Sequence, residues 1–302
     1  MDKHYNTLNE YYRHTFNSKV FKISLDAGFT CPNKDGSKGV GGCIFCNTAP
    51  YIGDKNESLI TQFNTVKEML HKKWKEAKYI AYFEANSNTY ADVEKLKSIY
   101  EPILKLDNVV GLNIGTRCDC LDDDILDYLS DLNSRTFLTV ELGLQSSHNK
   151  TLEFINRHHT KEDFTEAVNK LHKRNIKVVV HIINGLPNEN ENMMIETAKY
   201  VNSLKVHGIK IHMLYIEEGT TLAKMYNDNP FHLLSKDEYI KIVGEQLRVL
   251  NNNIVIHRIT GDPDKNKLIA PTWLLKKFVV LNDIDKYLNK NNIYQGEKNT
   301  DD

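Results

Sequence analysis

The sequence predicts a parallel α/β fold, either a barrel or an open doubly wound sheet, on two observations. Short β-branched runs alternate with segments of helical period, spaced by roughly 30 residues, the length of a repeated β–α unit. The runs are also largely apolar, as expected of parallel strands covered on both faces. Periodicity does not separate the barrel from the open sheet.

The strands are predicted at Val20–Ser24, Tyr79–Phe83, Val109–Ile114, Phe137–Leu142, Lys177–Ile183 and Ile209–Ile216, with a candidate seventh at Ile254–Ile259. Between them, Phe63, Val66, Leu70, Trp74 and Ala77 share one helical face, as do Ile125, Leu129 and Leu132. Thr160 is placed to N-cap a helix carrying Phe164, Ala167, Val168 and Leu171. Ser235 and Glu238 form a capping-box pattern ahead of Tyr239, Ile242, Val243 and Leu247. No repeat, low-complexity tract or linker stands out, and the polar tail from Asn289 to Asp302 is expected to fray.

The chain has 302 residues, 40% hydrophobic and 26% charged, which suits a globular protein with a sizeable core. The N-terminal stretch lacks an apolar h-region, so no export signal is expected. No apolar run nears the roughly 18 residues a membrane span requires, so no membrane partner is expected either. Five cysteines, an odd number without an export signal, favour metal or redox chemistry over disulfides, and a cytoplasmic location follows. A formal charge of −1 gives no overall pull on nucleic acid, which would need a local basic patch.

Cys31, Cys43 and Cys46 lie in one glycine-rich loop after the first predicted strand. Three thiolates can hold three irons of a cubane and leave the fourth iron open to a small molecule. The alternatives are a structural zinc loop, completed by Cys118, Cys120 or a histidine, and plain buried thiols.

Three cysteines after strand one of a β/α series, with Phe45 just before the last, resemble a radical S-adenosylmethionine (SAM) cluster loop. The superfamily's usual spacing is Cys-x3-Cys-x2-Cys, whereas eleven residues separate Cys31 from Cys43 here. That long spacing is similar to the YhcC/YtqA-like radical SAM family. So are Tyr5-Asn6-x-Leu8-Asn9-x-Tyr11-Tyr12-Arg13, Gly115-Thr116-Arg117 and Asp119-Cys120-Leu121. The pattern continues through Glu141–Ser146, Ile155-Asn156-Arg157, His181–Pro187 and His257–Asp262, and reaches the Trp273 region. Each string is weak alone; their order and strand-end placement carry the likeness. Proline is the family residue where Cys118 stands, and Cys120 lacks a cluster-like spacing, so neither is expected as a ligand.

The resemblance implies a partial (β/α)6 TIM-like barrel over residues 21–250, an N-terminal extension over 1–20 and a C-terminal extension over 251–302. It implies a [4Fe–4S] cluster on Cys31, Cys43 and Cys46, with SAM on the open iron. Reductive cleavage of SAM would then give a 5′-deoxyadenosyl radical that takes hydrogen from substrate, the cofactor supplying the hard chemistry. Asn86, Ser87, Asn88 and Thr89 are expected near the amino group of SAM, against the plainer reading of an Asn-rich turn. Arg117 is expected to meet a carboxylate of SAM or substrate. Glu141 and Gln145 are expected toward its ribose or methionine end, unless Glu141 is merely paired with a neighbour such as Arg117. Phe45 and Gly185-Leu186-Pro187 are expected beside the adenine. His181, Asn184 and His212 are further lumen candidates. No catalytic side chain is assigned.

The family is related in its SAM core to the Elongator catalytic subunit. This implies modification of the tRNA wobble uridine, with a carboxymethylaminomethyl side chain processed to aminomethyl. It also implies an electron donor such as flavodoxin or ferredoxin. A small-molecule or protein substrate for the same chemistry, and a non-catalytic zinc-stabilised nucleic-acid-binding protein, are the competing readings. Lys72-Lys73-Trp74-Lys75, His172-Lys173-Arg174 with Lys177, Lys276-Lys277 and Arg258 are the candidate tRNA contacts, or else ordinary solvated faces.

Overall fold

The computed structural model describes residues 3–47 and 57–299. The chain opens with α1 (Leu8–Phe16), β1 (Val20–Leu25), α2 (Leu59–His71), β2 (Lys78–Phe83), α3 (Val93–Leu104) and β3 (Val109–Thr116). It continues with α4 (Asp123–Arg135), β4 (Phe137–Gln145), α5 (Asn149–Phe154), α6 (Lys161–His172), β5 (Lys177–Asn184), α7 (Glu191–Ser203) and β6 (Gly208–Met213). Then come β7 (Ile216–Glu217), α8 (Thr221–Asp228), α9 (Lys236–Val249), β8 (Val255–Arg258), β9 (Leu268–Ala270), a 3-10 turn (Thr272–Lys276) and α10 (Lys277–Lys290).

The main sheet is parallel throughout, in the order β1-β2-β3-β4-β5-β6-β8. It curls into a partial barrel. Lys22 on the first strand meets His257 on the last at 3.1 Å, although these strands stand at opposite ends of the order. Helix α1 bridges the gap between these edges, with Thr7 pairing to Ile256, and Tyr12 packs on Val20 and Ile80 to close the floor.

Helix starts are written locally. Ser58, Asp92, Asp122, Thr160, Asn190, Thr220 and Ser235 each accept a backbone N–H three residues on, a contribution of about 1 kcal/mol per cap. Both expected caps are present as reciprocal boxes, Thr160 with Asp163 and Ser235 with Glu238. The outward strand residues Leu112, Ile114, Val140, Leu142, Val178, Val180 and Ile209 are buried in one core with Leu129, Phe164, Val168, Val201 and Leu247 of the helices. The inner face differs from the expectation of apolar cover. It is polar, with Lys22, Asn113, Glu141, His181 and Lys210 converging in the lumen.

Three further expectations are corrected. The sixth strand ends at Met213, because Ile216–Glu217 leaves the sheet to pair antiparallel with Leu268–Ala270. Helix α2 ends at His71, so Trp74 and Ala77 sit in the turn that feeds β2. The tail does not fray over its described part. Gln295 is buried, accepts from Asn6 N–H and donates to the carbonyls of Asn251 and Ile254.

Candidate active site

The cysteine loop is held by its own backbone and by the segment after β4. Gly42 N–H donates to Asn33 O at 2.7 Å and Cys46 N–H to Cys43 O at 2.9 Å. Gly41 and Gly42 take φ of 81° and 79°, the left-handed region where a side chain is strained. Asn156 Nδ2 donates to Gly42 O, and Asn33 Nδ2 returns a bond to Asn156 O. Ile44 N–H donates to Ile155 O. The Ile155-Asn156-Arg157 string is therefore the clasp on the loop.

Two of those residues also address a ligand sulfur. Arg157 Nη1 and Asn33 Nδ2 each lie 3.5 Å from Cys43 Sγ. Hydrogen bonds of this kind stabilise a thiolate and tune a cluster. Arg157 reaches there because position 143 has no side chain: its Nη2 bonds Gly143 O at 2.6 Å, and a Cβ on Gly143 would come within 2.7 Å of that nitrogen. Burial raises the Cys46 thiol, while Lys34 opposes the rise. Cys118 and Cys120 are pushed up to about 12, chiefly by burial, and Cys118 belongs to the core, so both behave as packing thiols.

Cys31, Cys43 and Cys46 line a cavity of about 940 Å3 at the C-terminal ends of the strands. That is at the upper end of small-molecule sites, roughly 300–1,000 Å3. Phe45, Asn86, Ser87, Arg117, Glu141, Gln145, His181 and His212 line it too. Asn86 and Gln145 hold φ of 62° and 74°, so the backbone turns sharply where β2 and β4 meet the cavity. Lys34 Nζ bonds Asn86 Oδ1 at 2.9 Å and ties that strand end to the cysteine loop.

Other expected residues stand elsewhere. Asn88 Nδ2 is spent on the Ala85 and Gly115 carbonyls. Thr89 Oγ1 meets Thr116 Oγ1 at 2.7 Å and donates to Cys120 O. Asn184 exchanges two 2.8 Å bonds with Gln246. These three side chains hold strand ends and helix α9 in place, and none lines the cavity. Arg117 pairs side-on with Asp119 through Nε and Nη2, both at 2.8 Å, and not with Glu141. Its Nη1 is buried without a partner among the described residues.

Glu141 is the lumen's central anion. Oε1 accepts from Lys22 Nζ at 2.8 Å and Asn113 Nδ2 at 2.7 Å; Oε2 meets His181 Nε2 at 2.8 Å and Lys210 Nζ at 2.6 Å. Burial opposes its ionisation, but the two ammoniums prevail and hold it well below the usual carboxylate range. Lys22 and Lys210 were not singled out from the sequence. The signal was there, since a charge inside an apolar strand must be paired or face a lumen, the same rule that identified Glu141.

The basic runs fall on the other face. Lys72, Lys73, Trp74 and Lys75 surround a surface hollow with Lys19, just before β1 and β2 begin. His172–Arg174 precedes β5, and Arg174 is engaged by Asp127. Both lie at the strands' N-terminal ends, away from the cavity. Lys277 pairs with Asp262, and of the expected basic contacts only Arg258 lines the cavity, beside Lys34, Lys265 and Lys267.

The donor set fits an iron–sulfur cluster. Three thiols share one cavity wall, with N–H donors on one sulfur and the buried Ser87 Oγ and Arg117 Nη1 unpartnered beside them. Among the described residues no three His, Cys, Asp or Glu groups gather closely enough for a single ion. A cubane makes a different demand, because each thiolate binds its own iron.

Comparison with known proteins agrees. The profile of the Radical SAM superfamily matches residues 36–201, and that of the Radical_SAM C-terminal domain matches 206–290. The chain is 48% identical to the uncharacterized protein YtqA of Bacillus subtilis over 299 residues, 98% of this chain and 93% of YtqA. It is 28% identical to the tRNA uridine(34) acetyltransferase of Methanocaldococcus jannaschii over 156 residues, 51% of this chain and 28% of that protein. The fold is shared with archaeal Methanocaldococcus infernus Elp3 lacking its N-terminus: TM-score 0.70, 18% identity, 92% of this chain and 64% of that one.

Proposed function

The chain belongs to the radical SAM superfamily, and we propose that its cluster sits on Cys31, Cys43 and Cys46 and that its substrate is the wobble uridine of tRNA, with a carboxymethylaminomethyl side chain processed to aminomethyl. Radical SAM enzymes use a [4Fe–4S] cluster and SAM, which when bound supply a radical that abstracts hydrogen from carbon.

The protein's own residues prepare the site. Arg157 and Asn33 donate to Cys43 Sγ and favour its thiolate form. Asn86 and Ser87, at the end of β2, offer oxygens to the amino group of SAM, and Arg117 Nη1 is free for its carboxylate. Phe45 and Gln145 flank the space left for the nucleoside half. The apolar helices outside the sheet and the Tyr12 floor keep bulk water from the lumen. An electron donor such as flavodoxin or ferredoxin would reduce the site.

The observation that carries the reading is the convergence of the three cysteines on one cavity at the strand ends. For tRNA, the support is the partial similarity to a tRNA uridine(34) enzyme and the cations Lys34, Arg258, Lys265 and Lys267 along the cavity wall, suited to phosphate and base contact. Anaerobic reconstitution should give about four iron per chain, and Cys43→Ala should lose the iron and SAM cleavage together. Mass spectrometry of tRNA nucleosides from cells lacking the gene should show carboxymethylaminomethyluridine accumulating. An unchanged profile would turn the reading toward a small-molecule or protein substrate.

A further inference from the structure

The lumen floor holds more positive charge than its own groups neutralise. Glu141 has all its acceptor capacity taken by Lys22, Asn113, His181 and Lys210, so two ammoniums share one carboxylate. Lys210 also donates to Tyr82 Oη at 2.8 Å, and Lys22 meets His257 Nδ1. Arg258 adds a third cation on the cavity wall. Its guanidinium makes no hydrogen bond among the described residues, and its nearest carboxylate, Asp262, stands 3.9 Å away on a half-exposed side chain.

Nothing else in the floor supplies the missing anion. His181 is brought down to about 4 by burial and by Lys210, so it stays neutral at physiological pH. His212 and His257 are also depressed, and the Nε2 of each is buried and unpartnered. Burial, with Lys22 and Arg258, brings Lys210 down to about 8. Buried charge left over in this way is costly unless a partner arrives.

We propose that this floor is a carboxylate-binding subsite for the substrate, with the fork of Arg258 taking both oxygens and the surplus ammonium charge of Lys22 and Lys210 behind it. The planar fork matches a carboxylate in two parallel bonds. The inference rests on the reading that this cavity receives the substrate, and it names the part held there: the glycine-derived acid of the side chain. A neutral amide would leave the cations uncompensated and an aminomethyl product would be repelled by them, so the floor separates substrate from product.

The test uses reconstituted, SAM-loaded enzyme and two small probes, N-methylglycine and its amide, followed by saturation-transfer NMR. The acid should give a contact signal several-fold above that of the amide, and Arg258→Gln should abolish the difference. Arg258→Lys, which keeps the charge but not the fork, should retain part of it. Iron content and SAM binding show whether each variant is intact; should Arg258→Gln fail to load, Arg258→Lys decides by a reduced acid signal. Equal signals for acid and amide, an acid signal indifferent to Arg258, or displacement by inorganic phosphate at lower concentration than by excess acid would overturn the assignment. The uridine reading fails separately: an unchanged nucleoside profile with Arg258-dependent acid binding would leave the subsite standing and the nucleoside wrong.

Discussion

Position 141 shows how a single side chain can be both structural and electrostatic. Its carboxylate joins β1, β3, β5 and β6 through four partners inside the barrel. Removing one side of a buried ion pair costs roughly 3–5 kcal/mol, because the orphaned charge stays buried. Glu141→Gln should therefore lower the urea midpoint sharply. Adding Lys210→Met should restore part of the loss, since the second change removes a cation that the first left unpaired. Additive losses in the double variant would mean that the pair is not coupled. Gly143 makes a narrower case. Alanine there puts a methyl 2.7 Å from Arg157 Nη2, so the guanidinium must leave Cys43 Sγ. Groups that support metal ligands are worth roughly 10–100-fold in metal affinity. Gly143→Ala should thus lose iron on desalting while its far-ultraviolet dichroism stays unchanged; full iron retention would show that Arg157 does not support the ligand.

Among the elements, the helices owe their starts to single residues. Ser235→Ala removes a reciprocal cap from α9 and should cost about 1 kcal/mol in a denaturant titration, with no change in iron content. A cost near zero would mean that packing alone fixes this end. Caps and outward strand faces were legible in the sequence for the same reason: Thr160, Ser235 and the Leu–Val runs act through neighbours three residues away or through simple burial. The site was legible where chemistry is rare, in three cysteines within one loop and a carboxylate inside a strand. It was less legible where function depends on which way a strand end turns. Asn86 and Ser87 reach the cavity, whereas Asn88 and Thr89, next along the chain, are turned onto backbone carbonyls and Thr116. Asn184 looked like a lumen residue, but its partner Gln246 lies 62 positions away on α9. The basic runs misled for a related reason, because charge density along the chain does not report which end of a barrel it occupies. Lys22 and Lys210 are separated by five strands in sequence and meet only when the sheet curls.

At the scale of the whole molecule, the curled sheet gathers histidines into places where they cannot charge, and this sets how acid acts on the fold. His181 and His207 are both brought down to about 4, chiefly by burial, from the usual 6.5. Between those values the unfolded chain binds the protons and the folded chain does not. Stability therefore rises with pH across this window and falls on acidification, by about 1.4 kcal/mol per pH unit for each such group at its steepest. Glu141, held low by Lys22 and Lys210, acts in the same sense further down, since its contribution is lost as pH falls through its folded value. With a formal charge of −1, overall repulsion is weak near neutrality and does not obscure the local effect. Thermal melts from pH 7.5 to 4.5 should show a midpoint that is steady above about pH 6.5 and drops steeply below it. His207 lies at the floor against Tyr11, at 4.8 Å between ring centroids and away from the cysteines, so His207→Gln should flatten the slope without touching the cluster. A midpoint that stays level or rises in acid, or a slope unchanged in His207→Gln, would mean that these imidazoles are protonated in the folded state and that the lumen is wetter than its packing indicates.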